Sequence, residues 1–150
     1  MPNKRKVREI ALQVLFAWDA HNNEDPAMAS QITHDASSDP IVRQRALEMA
    51  KGAWTQHDQI DTQIERLAPQ WPPRRQPWVD RNLLRMAVWE LTNTDTPAKV
   101  VLDEAIELAK QYSTEQSSAF VNGVLDSVLR EHRALLEGRD ATKPTENHPA

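Results

Sequence analysis

Apolar residues recur along this chain at spacings of three and four rather than two, the period of a helix and not of a strand. Val7, Ile10, Ala11, Val14, Leu15 and Trp18 form an i, i+3, i+4, i+7 stripe, which predicts a helix over roughly Lys4–Asp19. HNNEDPAMAS interrupts the pattern, and a short helix around Ala27–Ile32 fits the weak periodicity that follows. Asp39 is placed to cap the next helix, with Pro40 at its first position. Ile41, Val42, Ala46, Met49, Ala53, Trp54, Ile60, Ile64 and Leu67 mark its buried side, and Gly52 is the point where it bends or divides. The clustered prolines of PQWPPRRQPW (69–78) exclude regular helix and predict an extended connector between two helical halves.

Beyond the connector, Val79, Leu83, Leu84, Met86, Ala87, Val88 and Leu91 cover a wide arc. They predict the central, most buried helix over about Pro77–Leu91. TNTDTP reads as a turn in which Thr96 caps a helix that starts at Pro97, with Val101, Ala105, Leu108 and Tyr112 on its stripe. Ser113 with Gln116 matches a capping box for the last helix, which carries Phe120 to about Leu136. The expected fold class is all-α, with six or seven helices in two halves around the central one. Residues 1–137 form the helical domain. Residues 138–150, with Gly, Pro and charge but no large apolar residue, are expected to be a disordered tail.

Composition narrows the function classes. There is no Cys, hence no disulfide framework and no thiolate chemistry. No apolar run approaches the ~20 residues of a membrane span, and the basic start MPNKRKVREI lacks the apolar core of a secretory signal. A soluble, cytoplasmic protein is expected, with no membrane association. Net charge is −4, yet Lys4, Arg5, Lys6 and Arg8 crowd the first eight residues without an acid among them. A basic arm on an acidic body points to directed contact with an anion such as nucleic acid; a solvated terminus is the plain alternative.

Catalytic chemistry finds little support. The histidines at 21, 34, 57, 132 and 148 show no i, i+4 pairing and no Cys partner. There is no Gly-rich phosphate loop. Asp103, Glu104 and Glu107 alternate with Lys99 and Lys110 and read as a solvated helix face. No cofactor or metal is expected, and a binding module is favoured over an enzyme.

Three aromatic residues are left over by the core. At about 100° per residue, Phe16 falls opposite the Val14/Trp18 centre of the first stripe, with Leu12 beside it. Phe120 sits on a shoulder of the stripe formed by Val121, Val124, Leu125 and Val128, and Tyr112 ends the preceding helix a short loop away. Either the first helix is sandwiched between two apolar layers, or Phe16, Tyr112 and Phe120 form one exposed anchor patch. Gly123 is expected to admit close approach of a neighbouring helix, with Asn122 bonding to a backbone carbonyl. Cations beside rings suit single-stranded RNA, since Lys and Arg bind phosphate and rings stack on unpaired bases. Arg74 and Arg75 are a candidate second basic patch.

REIALQVLFAWD (Arg8–Asp19), VDRNLLRMAVWEL (Val79–Leu91) and above all AKVVLDEAIELAKQYSTEQSSAFVNGVLD (Ala98–Asp126) resemble the NusB family of bacterial transcription antitermination factors. The resemblance spans nearly the whole chain in order, although residues 21–75 and the tail after Gly138 match poorly and the Pro-rich segment departs from the pattern. It implies two packed three-helix bundles without catalysis. It also implies binding of the boxA element of nascent ribosomal RNA leaders together with a small-subunit ribosomal protein, NusE, and assembly with other Nus factors on RNA polymerase. The family's arginine-rich N-terminus falls on Lys4, Arg5, Lys6 and Arg8, and an RNA-proximal acidic position falls on Gln116, which here carries no charge. NusE-facing aromatic positions fall on Phe16, Tyr112 and Phe120, with Phe16 in place of the usual Tyr, and an acidic partner-facing position falls on Asp80. The same module also occurs fused ahead of an RNA cytosine methyltransferase; with no methyl-donor loop here, a free-standing factor is expected. A helical protein–protein adaptor or homodimer without RNA binding is the alternative.

Overall fold

The computed structural model describes residues 3–142, with side chains to residue 138. Seven α-helices and one 3₁₀ turn account for nearly all of these residues, and none of them is in a strand. In order they are α1 (Lys4–His21), α2 (Pro26–Ala36), α3 (Pro40–Thr55), α4 (His57–Leu67), the 3₁₀ turn Pro73–Arg75, α5 (Trp78–Asn93), α6 (Ala98–Tyr112) and α7 (Glu115–Thr142). No helix is long and apolar enough to cross a membrane among the described residues.

α1, α2 and α3 pack on one another as a first three-helix bundle, and α5, α6 and α7 form the second. α4 bridges α5 and α7. α5 touches α1, α3, α4, α6 and α7, which explains its nearly continuous run of buried residues from Asn82 to Val88. The principal apolar core therefore runs through both halves, from Leu15 and Trp18 of α1 to Leu108 of α6 and Leu125 of α7. Trp18 is fully buried and meets Trp54 edge-on, with ring centroids 5.9 Å apart. Its indole N–H donates to the carbonyl of Asp25 at 3.0 Å, so the polar tip is satisfied.

Local chemistry sets the helix starts. Asn3, Asp25 and Asp39 each accept a backbone N–H at the head of α1, α2 and α3. The α1 C-cap is Asn22 in the left-handed region, a position Asn tolerates. Two expected caps lie elsewhere. Thr96 does not cap α6; that helix follows Pro97 with no side-chain cap, and Thr96 instead bonds to Thr94. Ser113 closes α6, and Thr114 takes over as the α7 cap by accepting the N–H of Ser117 at 3.0 Å.

Both glycine expectations change. The long central segment divides at Gln56, whose backbone leaves the helical region, and not at Gly52. Gly52 is the close-approach glycine: a Cβ there would overlap the indole of Trp89 on α5. A Cβ on Gly123 would meet nothing, and Asn122 is exposed beside it. The Asn122–Gly123 step thus leaves a patch of α7 bare and serves no helix contact. Residues 138–142, expected to belong to a tail, are helical, because α7 continues to Thr142. Gly138 is the poorest helix former of residues 138–142, a cost of about 1 kcal/mol that does not end a helix already begun. Residues 143–150 lie outside the described residues.

Candidate functional site

Arg5, Glu9, Leu12 and Phe16 are spaced by four, three and four, which aligns them along one face of α1. That face is not sandwiched: Phe16 is 39 % exposed. At its N-terminal end the Arg5 guanidinium grips Glu104 of α6 with two bonds of 2.9 and 3.0 Å. The Arg5 hydrogen bond holds the Glu104 carboxyl below the usual carboxylate range, outweighing its partial burial. Arg5 itself remains largely exposed, Lys4 is exposed and Lys6 is half-buried.

Arg8 is not part of this basic surface. It is 4 % exposed and bonds Glu90 of α5 through Nε at 2.9 Å and a terminal nitrogen at 2.7 Å. Its expected role in phosphate contact is withdrawn. The physical reason is helical register: Arg8 shares its face with Ala11 and Leu15 and points into the α1–α5 contact. Arg45 of α3, unforeseen from the sequence, is exposed beside Lys4, with Glu48 next to it. Together with Lys4, Thr94 and Thr96 it rims a cavity of about 220 Å³ above the Arg8–Glu90 pair.

Farther along α1, Glu9, Leu12, Gln13 and Phe16 join Val79 of α5 and Tyr112 of α6 around a mainly apolar groove of about 300 Å³. Tyr112 lies exposed at its rim, its phenol pushed up by partial burial and by the charge of Glu9. Phe16 meets exposed Trp78 edge-on, centroids 5.8 Å apart. Phe120 lies apart from this groove. It is half-buried and pairs with Trp71, centroids 5.6 Å apart, over a recess that also contains Pro77, Asp80, Thr114, Gln116 and Ser117. The three expected aromatics therefore do not form one patch but belong to two, Phe16 and Tyr112 in the first and Phe120 in the second. Gln116 falls with the second and not beside the basic arm. Asp80 is 2 % exposed, so the expected surface contact of its carboxylate with a partner is corrected: it lies at the floor of a recess.

Trp71 and Trp78 are the aromatics that the sequence reading passed over. Trp71 lies within the Pro-rich connector and Trp78 opens α5 directly behind Pro77, so neither falls on an apolar stripe, and the surrounding prolines are the available signal. The connector is held to α5 by Arg81, which donates to the Pro73 carbonyl at 3.3 Å and is itself fixed by Asp19. Asp19 at the end of α1 accepts from Arg81 at 2.7 and 2.9 Å and from Asn82 at 2.8 Å, while Arg85 grips Asp61 of α4 at 2.6 and 2.9 Å. Burial pushes the Asp19 carboxyl up, but these hydrogen bonds and the charges of Arg85 and Arg81 hold it below its ordinary value.

The family model described as the NusB family matches residues 5–130. The transcription antitermination protein NusB of Solibacter usitatus is 43% identical over 133 residues, covering 87% of this chain and 91% of that relative. The protein of the same name from Roseiflexus is 37% identical over 138 residues, with coverages of 90% and 97%. Among solved structures, T. maritima NusB matches with a TM-score of 0.77 at 35% identity, over 91% of this chain and 99% of that one. NusB in a complex of antitermination factors NusB and NusE with dsRNA matches with a TM-score of 0.78 at 25% identity, over 85% and 96%. The chain belongs to the NusB family.

Proposed function

We propose that this protein is a transcription antitermination factor that binds boxA RNA of nascent ribosomal RNA leaders together with NusE, and so joins other Nus factors on RNA polymerase. The observation that carries the proposal is the face of α1 that leads from exposed Arg5 past Glu9 to exposed Phe16 and an apolar groove, with exposed Lys4 on the neighbouring face of the same first turn. Cations at one end suit phosphates, which position an RNA without specifying it. The groove, lined by Phe16 and Tyr112 with Trp78 packed against Phe16, suits a protein partner. The names of its relatives and a fold neighbour seen with NusE and RNA support the same assignment. The reading includes no catalytic step and a cytoplasmic location.

Lys4, Arg5 and Lys6 form the phosphate-contacting set, and their reversal to Glu tests it. Each lost contact with single-stranded RNA lowers the slope of log affinity against log salt by about 0.7. The triple variant is expected to bind boxA RNA weakly and with a flatter salt dependence. An unchanged slope in a titration from low to moderate salt removes the arm from the RNA site. The adaptor or homodimer reading makes the opposite forecast: particle size by light scattering changes with NusE or with protein concentration, and never with RNA.

A further inference from the structure

We propose that the groove between the end of α4, Trp71 and α7 receives an uncharged segment of NusE, anchored on Trp71 and laid over Gly123. The proposal rests on the reading of this protein as a partner of NusE and extends that contact beyond the residues the family resemblance assigns to it. The fold itself has no need of Gly123. Gly inside a helix costs stability relative to Ala, and Gly123 lies well inside α7. It has no positive φ, and a Cβ there would meet nothing. Neither backbone conformation nor helix packing therefore asks for glycine, and what remains is the bare space above it.

That space is a groove of about 250 Å³, lined by Ala68 and Trp71 behind α4 and by Phe120, Gly123, Val124 and Ser127 of α7. None of the described residues lining it is charged, so it offers nothing to a phosphate or a cation and suits an uncharged stretch of protein. The Ser127 hydroxyl already donates to the Gly123 carbonyl at 3.2 Å. Trp71 and Phe120, with ring centroids 5.6 Å apart, line both this groove and the recess of Asp80. The resemblance gives Asp80 and Phe120 to NusE, so a partner seated there has one ring pair to cross. Trp71 is 50 % exposed yet fixed in place. Its backbone N–H donates to Ala68 at 3.0 Å, and its carbonyl accepts from the buried Gln76 side chain at 2.9 Å. A large ring held before contact loses little freedom on binding, as an anchor requires.

The test measures NusE binding by calorimetry without RNA, alongside thermal unfolding of each variant. Gly123→Ala is expected to melt about 3 °C above the parent, since Ala is the better helix former and meets nothing. Gly123→Gln, uncharged and also a good helix former, is expected to melt no lower than the parent yet bind NusE about tenfold more weakly, because its side chain fills the groove. Trp71→Ala is expected to weaken NusE binding about tenfold as well. RNA binding without NusE is expected to be unchanged in all three. NusE affinity in Gly123→Gln within about twofold of the parent overturns the proposal and leaves the proposed function standing. A lower melting temperature in Gly123→Ala overturns it too, because the glycine then serves the fold. Self-association of the parent that Gly123→Gln removes overturns it by giving the groove to a second copy, and weaker RNA binding by Gly123→Gln without NusE overturns it by giving the groove to RNA. A parent protein that binds no NusE overturns both this contact and the proposed function.

Discussion

Replacing Arg8 by Ala is expected to destabilise the fold by about 3–5 kcal/mol, because it strands the Glu90 carboxylate where almost no water reaches it. The pair joins α1 to α5, and hence the first bundle to the second. Breaking one side of a buried ion pair costs far more than the pair contributes, so a double change of Arg8→Met with Glu90→Leu is expected to recover most of the loss. Urea unfolding checks both: the midpoint falls in the single variant with little change in slope and returns toward the parent in the double. A loss below about 1 kcal/mol in Arg8→Ala, the range of an exposed pair, contradicts the buried arrangement. The same variant separates folding from binding. A weakened RNA complex in Arg8→Ala reports lost structure, whereas one in Lys4, Arg5 or Lys6 variants reports lost phosphate contact.

Asp19→Ala is the second large change expected, again about 3–5 kcal/mol, since it leaves Arg81 and the Asn82 amide without their shared acceptor and Arg85 with Asp61 as its one carboxylate partner. The pH dependence follows from the same site. The folded carboxyl of Asp19 titrates below its unfolded value of about 3.9. The stability it contributes is therefore fully present above that value and is lost as pH falls through the folded pKa. Glu104 and Glu131 are lowered in the same direction by Arg5 and Arg66, but as exposed pairs they add little. Asp19→Asn is expected to be less stable at neutral pH and to lose less on acidification below about pH 4. Urea midpoints measured from pH 7 to pH 3 decide this; parallel curves for parent and variant contradict the network.

The helices were legible because their apolar stripes are long and regular. Pro40 in a first turn, behind Asp39, marked the start of α3 correctly. What escaped the pattern was tertiary. Nothing local distinguishes Gly52, over which Trp89 packs, from Gly123, over which nothing packs; both interrupt good helical sequence. Arg8 looked like one of four arm cations, although its place between Val7 and Ala11 on the apolar stripe, with Glu90 inside the α5 arc, carried the signal of a buried pair. Phe16 was readable as an outlier from its stripe. Its contact with Trp78, at the first position of α5, and the contact of Phe120 with Trp71 were not, because a proline-rich connector has no period from which the direction of its side chains or of the helix start behind it follows.

Gel-shift titration of boxA RNA, with and without NusE, on the parent and Phe16→Ala proteins tests the exposed α1 face most directly. NusE is expected to tighten RNA binding by the parent protein, and Phe16→Ala is expected to cut that gain by tenfold or more through loss of an aromatic anchor. RNA affinity that is indifferent to NusE, or a NusE effect that survives Phe16→Ala undiminished, would show that this face is not where RNA and partner meet.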